Sequence, residues 1–151
     1  MKLFCLKGSP KPFQMEELVE FIAVVNTDPV HSSATYSDNK KMIEQQLAKS
    51  IRNGHAVACK ENNVLIGFCD CSIDTEDRVA DCALFIHPKK IEAYEEIAEV
   101  MLRILKQQIP DQLPLRFSLT KENIFCKGFL EGQNTKGAEN EFGTFLIRTG
   151  E

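Results

Sequence analysis

His87 and Tyr94 are the residues of this sequence best suited to moving a proton. His87 ends the apolar run Leu84-Phe85-Ile86 and precedes Pro88, so it stands where a strand must stop. An imidazole there titrates near neutrality and is either a candidate base or an ordinary, partly exposed strand-end His, while Tyr94 is either a candidate acid or a ring that covers the helix end. Between and beyond them lie Glu92, Glu95 and Glu96, at the start of an amphipathic stretch. The first amides of a helix have no intrahelical partner and attract anions. Carboxylates at that end also stabilise the helix through its dipole, which is the ordinary reading of the three Glu. Asp70 and Asp81 fall inside predicted strands. On a groove they would suit a cationic amine; on the solvent face they would be unremarkable strand carboxylates. His31 and Tyr36 sit in a polar connection, where side chains are usually solvated.

Cysteine chemistry is not expected. Cys5, Cys59, Cys69, Cys71, Cys82 and Cys126 include no C-x-x-C pair, and no His lies at ligand spacing from Cys69 and Cys71. Cys126 has no histidine nearby in sequence to lower its pKa. All six read as reduced, buried, small apolar residues, with no metal.

The elements that must position these groups follow from periodicity. Lys2–Leu6 is a strand closed by Gly8-Ser9-Pro10. Met15, Leu18, Val19, Ile22 and Val25 mark a helix over Gln14–Asn26. Ile43, Leu47 and Ile51 stripe a second helix, with Ser37 or Asp38 as its N-cap and Asn53-Gly54 as its end. His55–Cys59, Val64–Ile73 and Val79–His87 form an antiparallel meander, turning at Glu61-Asn62-Asn63 and at Asp74–Asp77. Gly67 inside the second of these strands marks a bulge or a close approach. After the loop Lys89–Glu95, Ile97, Ala98, Met101, Leu102 and Leu105 define a long amphipathic helix. Leu115–Leu119 is a strand, Lys121–Glu131 a helix capped by Thr120, Gln133–Gly137 a loop, and Phe142–Arg148 the closing strand.

The chain's 151 residues carry a net charge of −4, with 43% hydrophobic and 26% charged residues. That balance supports one domain, 1–151, and argues against a nucleic-acid partner. No apolar run approaches the length of a membrane span. The N-terminal apolar block is too short for a signal peptide, so the cytoplasm is the expected compartment.

The order strand, two helices, three-strand meander, helix, strand, helix, strand resembles the GNAT family of acetyl-CoA-dependent N-acyltransferases. The resemblance extends to Leu84–Pro88, to the adjacent pair Ile97-Ala98 with Met101 one turn on, and to Asn123 followed by Phe129. It departs from the family's loop pattern at three positions. Ala93 stands for its glutamine or arginine, Glu96 for its first glycine, and Leu130 for a tyrosine that many members carry.

The resemblance implies an α+β fold with a central mixed, mostly antiparallel sheet flanked by helices. It implies acetyl-CoA as the acyl donor, held by Phe85, Ile86, His87, Ala93, Tyr94, Glu95, Glu96, Ile97, Ala98 and Asn123. The acceptor would be a small-molecule or peptide amine, and a homodimer is compatible with either function. Two functions follow: an active N-acetyltransferase, or a non-catalytic module that keeps the fold and binds through its groove. A sheet whose parallel strands part after Leu84–His87 and Leu115–Leu119 distinguishes this fold from other α+β sandwiches.

Overall fold

The computed structural model describes residues 1–8, 12–133 and 144–147. The turn at Ser9-Pro10 and the loop expected at Gln133–Gly137, beyond Gln133 itself, lie outside them. Its elements are β1 (Lys2–Leu6), α1 (Pro12–Asn26), α2 (Lys40–Arg52), β2 (Ala56–Glu61), β3 (Val64–Asp74), β4 (Val79–Ile86), α3 (Tyr94–Gln108), β5 (Leu115–Ser118), α4 (Ile124–Glu131) and β6 (Thr144–Ile147). Six strands form one sheet in the order β1-β2-β3-β4-β5-β6. Every neighbouring pair is antiparallel except β4 and β5, which run parallel.

Strand alternation divides the sheet into two cores. Cys59, Cys69, Cys71, Cys82, Leu84 and Ile86 face α3, meeting Ile97, Ala98, Met101, Leu102 and Leu105. Ala58, Phe68, Ala83 and Phe85 face the opposite way, against Ile22 of α1 and Ile43, Leu47 and Ile51 of α2. Five cysteines are buried free thiols, as expected; Cys5 is exposed, because its strand lies at the sheet edge and its face is open.

The turn at Asn62 and Asn63 forms as read, both residues at positive φ. Gly67 is both a bulge and a close approach. The register passes from Cys59↔Gly67 to Lys60↔Leu65, leaving one extra β3 residue. A Cβ on Gly67 would lie 2.8 Å from Met101 Cε and 3.3 Å from Ile97 Cγ2. Gly67→Val is therefore expected to cost about 1–3 kcal/mol by overpacking, measured by urea denaturation. Gly67→Ala should cost less, since the end of Met101 can move.

Two helix starts differ from expectation, each because another acceptor stands nearby. Asn39, not Ser37 or Asp38, caps α2, accepting from Lys41 N and Met42 N at 2.9 and 3.2 Å. Asp38 instead accepts from Asn26 Nδ2, and Ser37 from Asn39 N. Asn123 caps α4, which starts at Ile124 rather than Lys121. Thr120 is committed to Pro29 O at 2.7 Å. The loop before α3 is partly helical: Pro88–Ala93 is 3-10, kinked at Lys90. Among the described residues, no helix is long and apolar enough to cross a membrane.

Candidate functional site

The sheet opens between β4 and β5. Their parallel pairing runs only through Ala80↔Leu115, Asp81↔Arg116 and Cys82↔Phe117. Ala80 N donates to Pro114 O at 2.9 Å, so by alternation Ser118 O looks toward β4 as well. It is taken by Ala34 N, at 2.9 Å, from the α1–α2 connection, and Ser33 bridges to Leu119. The connection thus wedges onto the edge of β5 where β4 leaves it. On the other side of the gap, the same alternation aims the backbone N–H and C=O of Leu84 and Ile86 into the opening.

On the α3 side of the gap lies a groove of about 530 Å³. Its walls are the turn from Ile91 to Glu96 and the facing residues Ile124, Phe125, Gly128 and Phe129 of α4. Ala93 is the N-cap of α3 and supplies no side-chain cap; among the described residues none covers that first turn. The Tyr94 amide is occupied by Ile91 O. Glu92, Glu95 and Glu96 are exposed at the rim. Lys90 is tied to Glu61.

Tyr94 is part of the groove wall. It is buried, its ring 6.2 Å from that of Phe125 and 6.5 Å from that of Phe129. Burial holds its hydroxyl well above the usual tyrosine range, with neighbouring Cys126 adding to the effect. Burial likewise pushes the Cys126 thiol up to about 12, which removes it as a nucleophile. His87 accepts from Lys89 N through Nδ1 at 3.1 Å, capping the 3-10 turn. Burial, Lys89 and His31 lower its pKa, so the imidazole is neutral and Nε2 carries the proton. Ile86, Ile97 and Ala98 point into the α3 core, while Phe85 points to the opposite face. Asn123 is fully engaged: Oδ1 accepts from Cys126 N at 3.1 Å and Nδ2 donates to Ser32 O at 2.8 Å.

On the α1/α2 side is a polar cavity of about 620 Å³, lined among others by Tyr36, Lys49, Ser50, Asp70, Asp81 and Arg116. Tyr36 and His31, expected to be solvated, are buried. The connection carrying them is ordered because its polar groups are satisfied from within. Asn26 bonds Tyr36 O and Ser33 N, Gln46 bonds Thr35 O, and Asn123 bonds Ser32 O. His31 stacks on Phe125 at 5.5 Å, and Tyr36 meets Phe85 edge-on at 5.4 Å.

The Tyr36 hydroxyl donates to Asp70 Oδ2 at 2.5 Å. Asp70 is 5% exposed. Burial raises its pKa from 3.8 to about 6, against the lowering effect of hydrogen bonds from Tyr36 and Ser50. Asp81 is gripped bidentately by Arg116, at 2.6 and 3.0 Å. Arg116 also reaches Asp77 at 2.7 Å and Asp74 at 3.2 Å. Sequence reading singled out Asp70, Asp81 and Tyr36 but not Arg116 or Ser50. The alternation Leu115-Arg116-Phe117 was the available signal, since it puts Arg116 on the face away from α3. Among the described residues, no group of three or more His, Cys, Asp or Glu is placed to hold a metal ion.

No family model matches the chain, and no curated protein matches it. Solved structures do. YncA of Salmonella typhimurium, solved with its cofactor acetyl-CoA, aligns over 99% of this chain and 90% of its own, with a TM-score of 0.67 at 12% identity. The PaiA N-acetyltransferase of Thermoplasma acidophilum, in complex with coenzyme A, aligns over 99% and 98%, with a TM-score of 0.68 at 16% identity. A GNAT-family acetyltransferase of Bacillus cereus aligns over 99% and 96%, with a TM-score of 0.62 at 14% identity. This chain has the GNAT acetyltransferase fold. The six-stranded, mostly antiparallel sheet flanked by helices is thus shared architecture. Within that GNAT frame, the glycine-free, carboxylate-rich turn Ala93–Glu96 and the buried pair Asp70 and Tyr36 are features of this chain's own residues.

Proposed function

We propose that the protein is an acetyl-CoA-dependent N-acyltransferase acting on a primary amine. The observation that carries this reading is the parting of β4 and β5, with a helix-start groove on one side and a polar cavity on the other. A donor and an acceptor approaching from opposite faces would meet at the opening.

The residues present fit the donor. The backbone N–H and C=O of Leu84 and Ile86 would meet its pantetheine arm, while those of Phe85 between them are turned to Phe68 of β3. The first turn of α3, from Ala93 through Tyr94, Glu95 and Glu96, faces its phosphates with no side chain capping it. Ile97 and Ala98 fix that turn to the core, His87 caps the 3-10 segment before it, and Asn123 holds the opposite wall in place. Bound there, acetyl-CoA would supply a thioester acyl group. The chain's own contribution is to align that group and to hold the amine against it, which is worth several kcal/mol of barrier in orientation alone.

The test is thermal unfolding with acetyl-CoA. At a hundredfold excess over Kd, binding stabilises by about 2.7 kcal/mol, and each kcal/mol moves the Tm of a chain this size by about 2–4 °C. No shift with acetyl-CoA, CoA or a longer acyl-CoA would leave a module without donor chemistry. A companion expectation concerns the rim. Glu95→Gln and Glu96→Gln should each tighten CoA binding about threefold at low ionic strength, and the gain should vanish by about 0.5 M salt as the charges are screened. Isothermal titration at the two ionic strengths checks it.

A further inference from the structure

We propose that Asp70 receives the acceptor's ammonium group and takes its proton, with Tyr36 setting its proton affinity. This rests on the N-acyltransferase reading and adds a residue-level role to its acceptor side. Asp70 occupies the middle of β3, in a sheet interior where an unpaired carboxylate is costly. The hydrogen bond it accepts comes from a neutral hydroxyl, that of Tyr36 on the α1–α2 connection, and the Ser50 hydroxyl of α2, which donates to Leu47 O, lies beside it. Among the described residues no ion pair reaches it. The other charged groups on the cavity are Lys49 of α2, Asp81 of β4 and Arg116 of β5. Lys49 is exposed, and Arg116 is spent on Asp81, Asp77 and Asp74. A buried carboxylate without a cation, facing an open polar cavity, is a site for a cation brought by the ligand.

Its position is the second, independent argument. Asp70 pairs with Ala83, the β4 residue just past the last rung, Cys82↔Phe117. Tyr36 packs on Phe85, two residues farther along the same edge. The pair therefore stands one strand from the opening. In the reaction the ammonium proton passes to Asp70. The freed nitrogen lone pair forms the C–N bond to the acyl carbon, and the C–S bond breaks with its electrons leaving on sulfur. The acylated nitrogen loses its second proton, which passes through water to the thiolate, and Asp70 returns the first to solvent through the cavity. A carboxylate that titrates near 6 can do this at neutral pH. The unpaired carboxylate of Asp70 favours an aliphatic amine, which is cationic at neutral pH.

The experiment measures acyl transfer from acetyl-CoA to ethanolamine, putrescine and lysine between pH 5 and 9. It uses wild type, Asp70→Asn, Asp70→Glu and Tyr36→Phe. Wild-type kcat/KM should fall tenfold per pH unit below about 6. Asp70→Asn should lose about a hundredfold in kcat and the acid limb with it, while its melting shift with acetyl-CoA persists. Asp70→Glu should recover part of the rate. Tyr36→Phe should stay active with its acid limb moved to higher pH, because the lost hydrogen bond favoured the carboxylate; a merely structural Tyr36 would not move that limb. In parallel, the Asp70 carboxyl carbon is titrated by NMR with and without putrescine, which should lower its midpoint. An unchanged rate and limb in Asp70→Asn, or a midpoint indifferent to putrescine, overturns the proposal. A wild type that shows neither acyl transfer nor a melting shift with acetyl-CoA, yet whose Asp70 responds to putrescine, overturns the acyltransferase reading and not the ammonium site.

Discussion

Asp70→Asn should stabilise the fold at alkaline pH while lowering the rate of acyl transfer about a hundredfold. The folded-state pKa of Asp70 is about 6, above the ordinary carboxylate value of 3.8. A carboxyl whose folded pKa is raised binds its proton more tightly when folded. Its contribution is therefore fully present below about 3.8 and is lost as the pH rises through about 6. The difference between those values corresponds to roughly 3 kcal/mol at high pH. Asparagine carries no such proton. Between pH 4 and pH 8 the variant should therefore gain roughly 2 kcal/mol on the wild type, with most of the change falling between 4 and 6. Urea denaturation across that range reads it directly. A difference that stays flat with pH would show that Asp70 is ionised at its ordinary value in the folded protein. A residue that costs stability where the protein must work is retained for what it does, which is the usual trade at functional sites.

The second large effect is structural. Phe117 is about 1% exposed, faces α3 from β5 and forms the last rung with Cys82 before the strands part. Across its other edge it pairs with Phe145 of β6. Truncating it leaves a cavity at the root of the opening that neither strand can collapse into, because both are pinned by their ladders. Phe117→Ala should cost about 3–5 kcal/mol, seen as a lower urea midpoint with an unchanged slope. Phe4, 41% exposed on the edge strand β1, is the internal comparison; Phe4→Ala should cost under about 1 kcal/mol. Equal losses at the two positions would contradict the burial assigned to Phe117.

Periodicity carried most of the architecture. The stripe Ile97, Ala98, Met101, Leu102, Leu105 could only be one face of a helix, and it lies on the sheet as that spacing demands. Gly67 announced both its bulge and the helix packed against it. Caps were less legible, because Ser37, Asp38 and Asn39 are all good acceptors, and the choice depended on which was free of Asn26. The acceptor side was legible only as scattered polar residues. Tyr36 and Asp70 are 34 residues apart, and Arg116 lies 35 from Asp81. Whether such residues meet is fixed by strand register and by the path of the α1–α2 connection, neither of which a local pattern encodes. The same holds for His87 and Asn123. His87 was singled out by residue type and place and Asn123 by resemblance, and no local pattern told that the one caps a turn and the other holds a loop.

The wedge of Ala34 on Ser118 gives the opening a handedness. One lip is closed by the protein's own chain; only the lip formed by Leu84 and Ile86 keeps ladder positions to offer. An exposed sheet edge ordinarily invites another protein's strand and, with it, aggregation. Here the unsealed length is two residues of one strand, too short for a foreign strand to dock, yet long enough for a slender molecule carrying one or two amides. A sheet parted this way would sort ligands by length before any side chain is consulted.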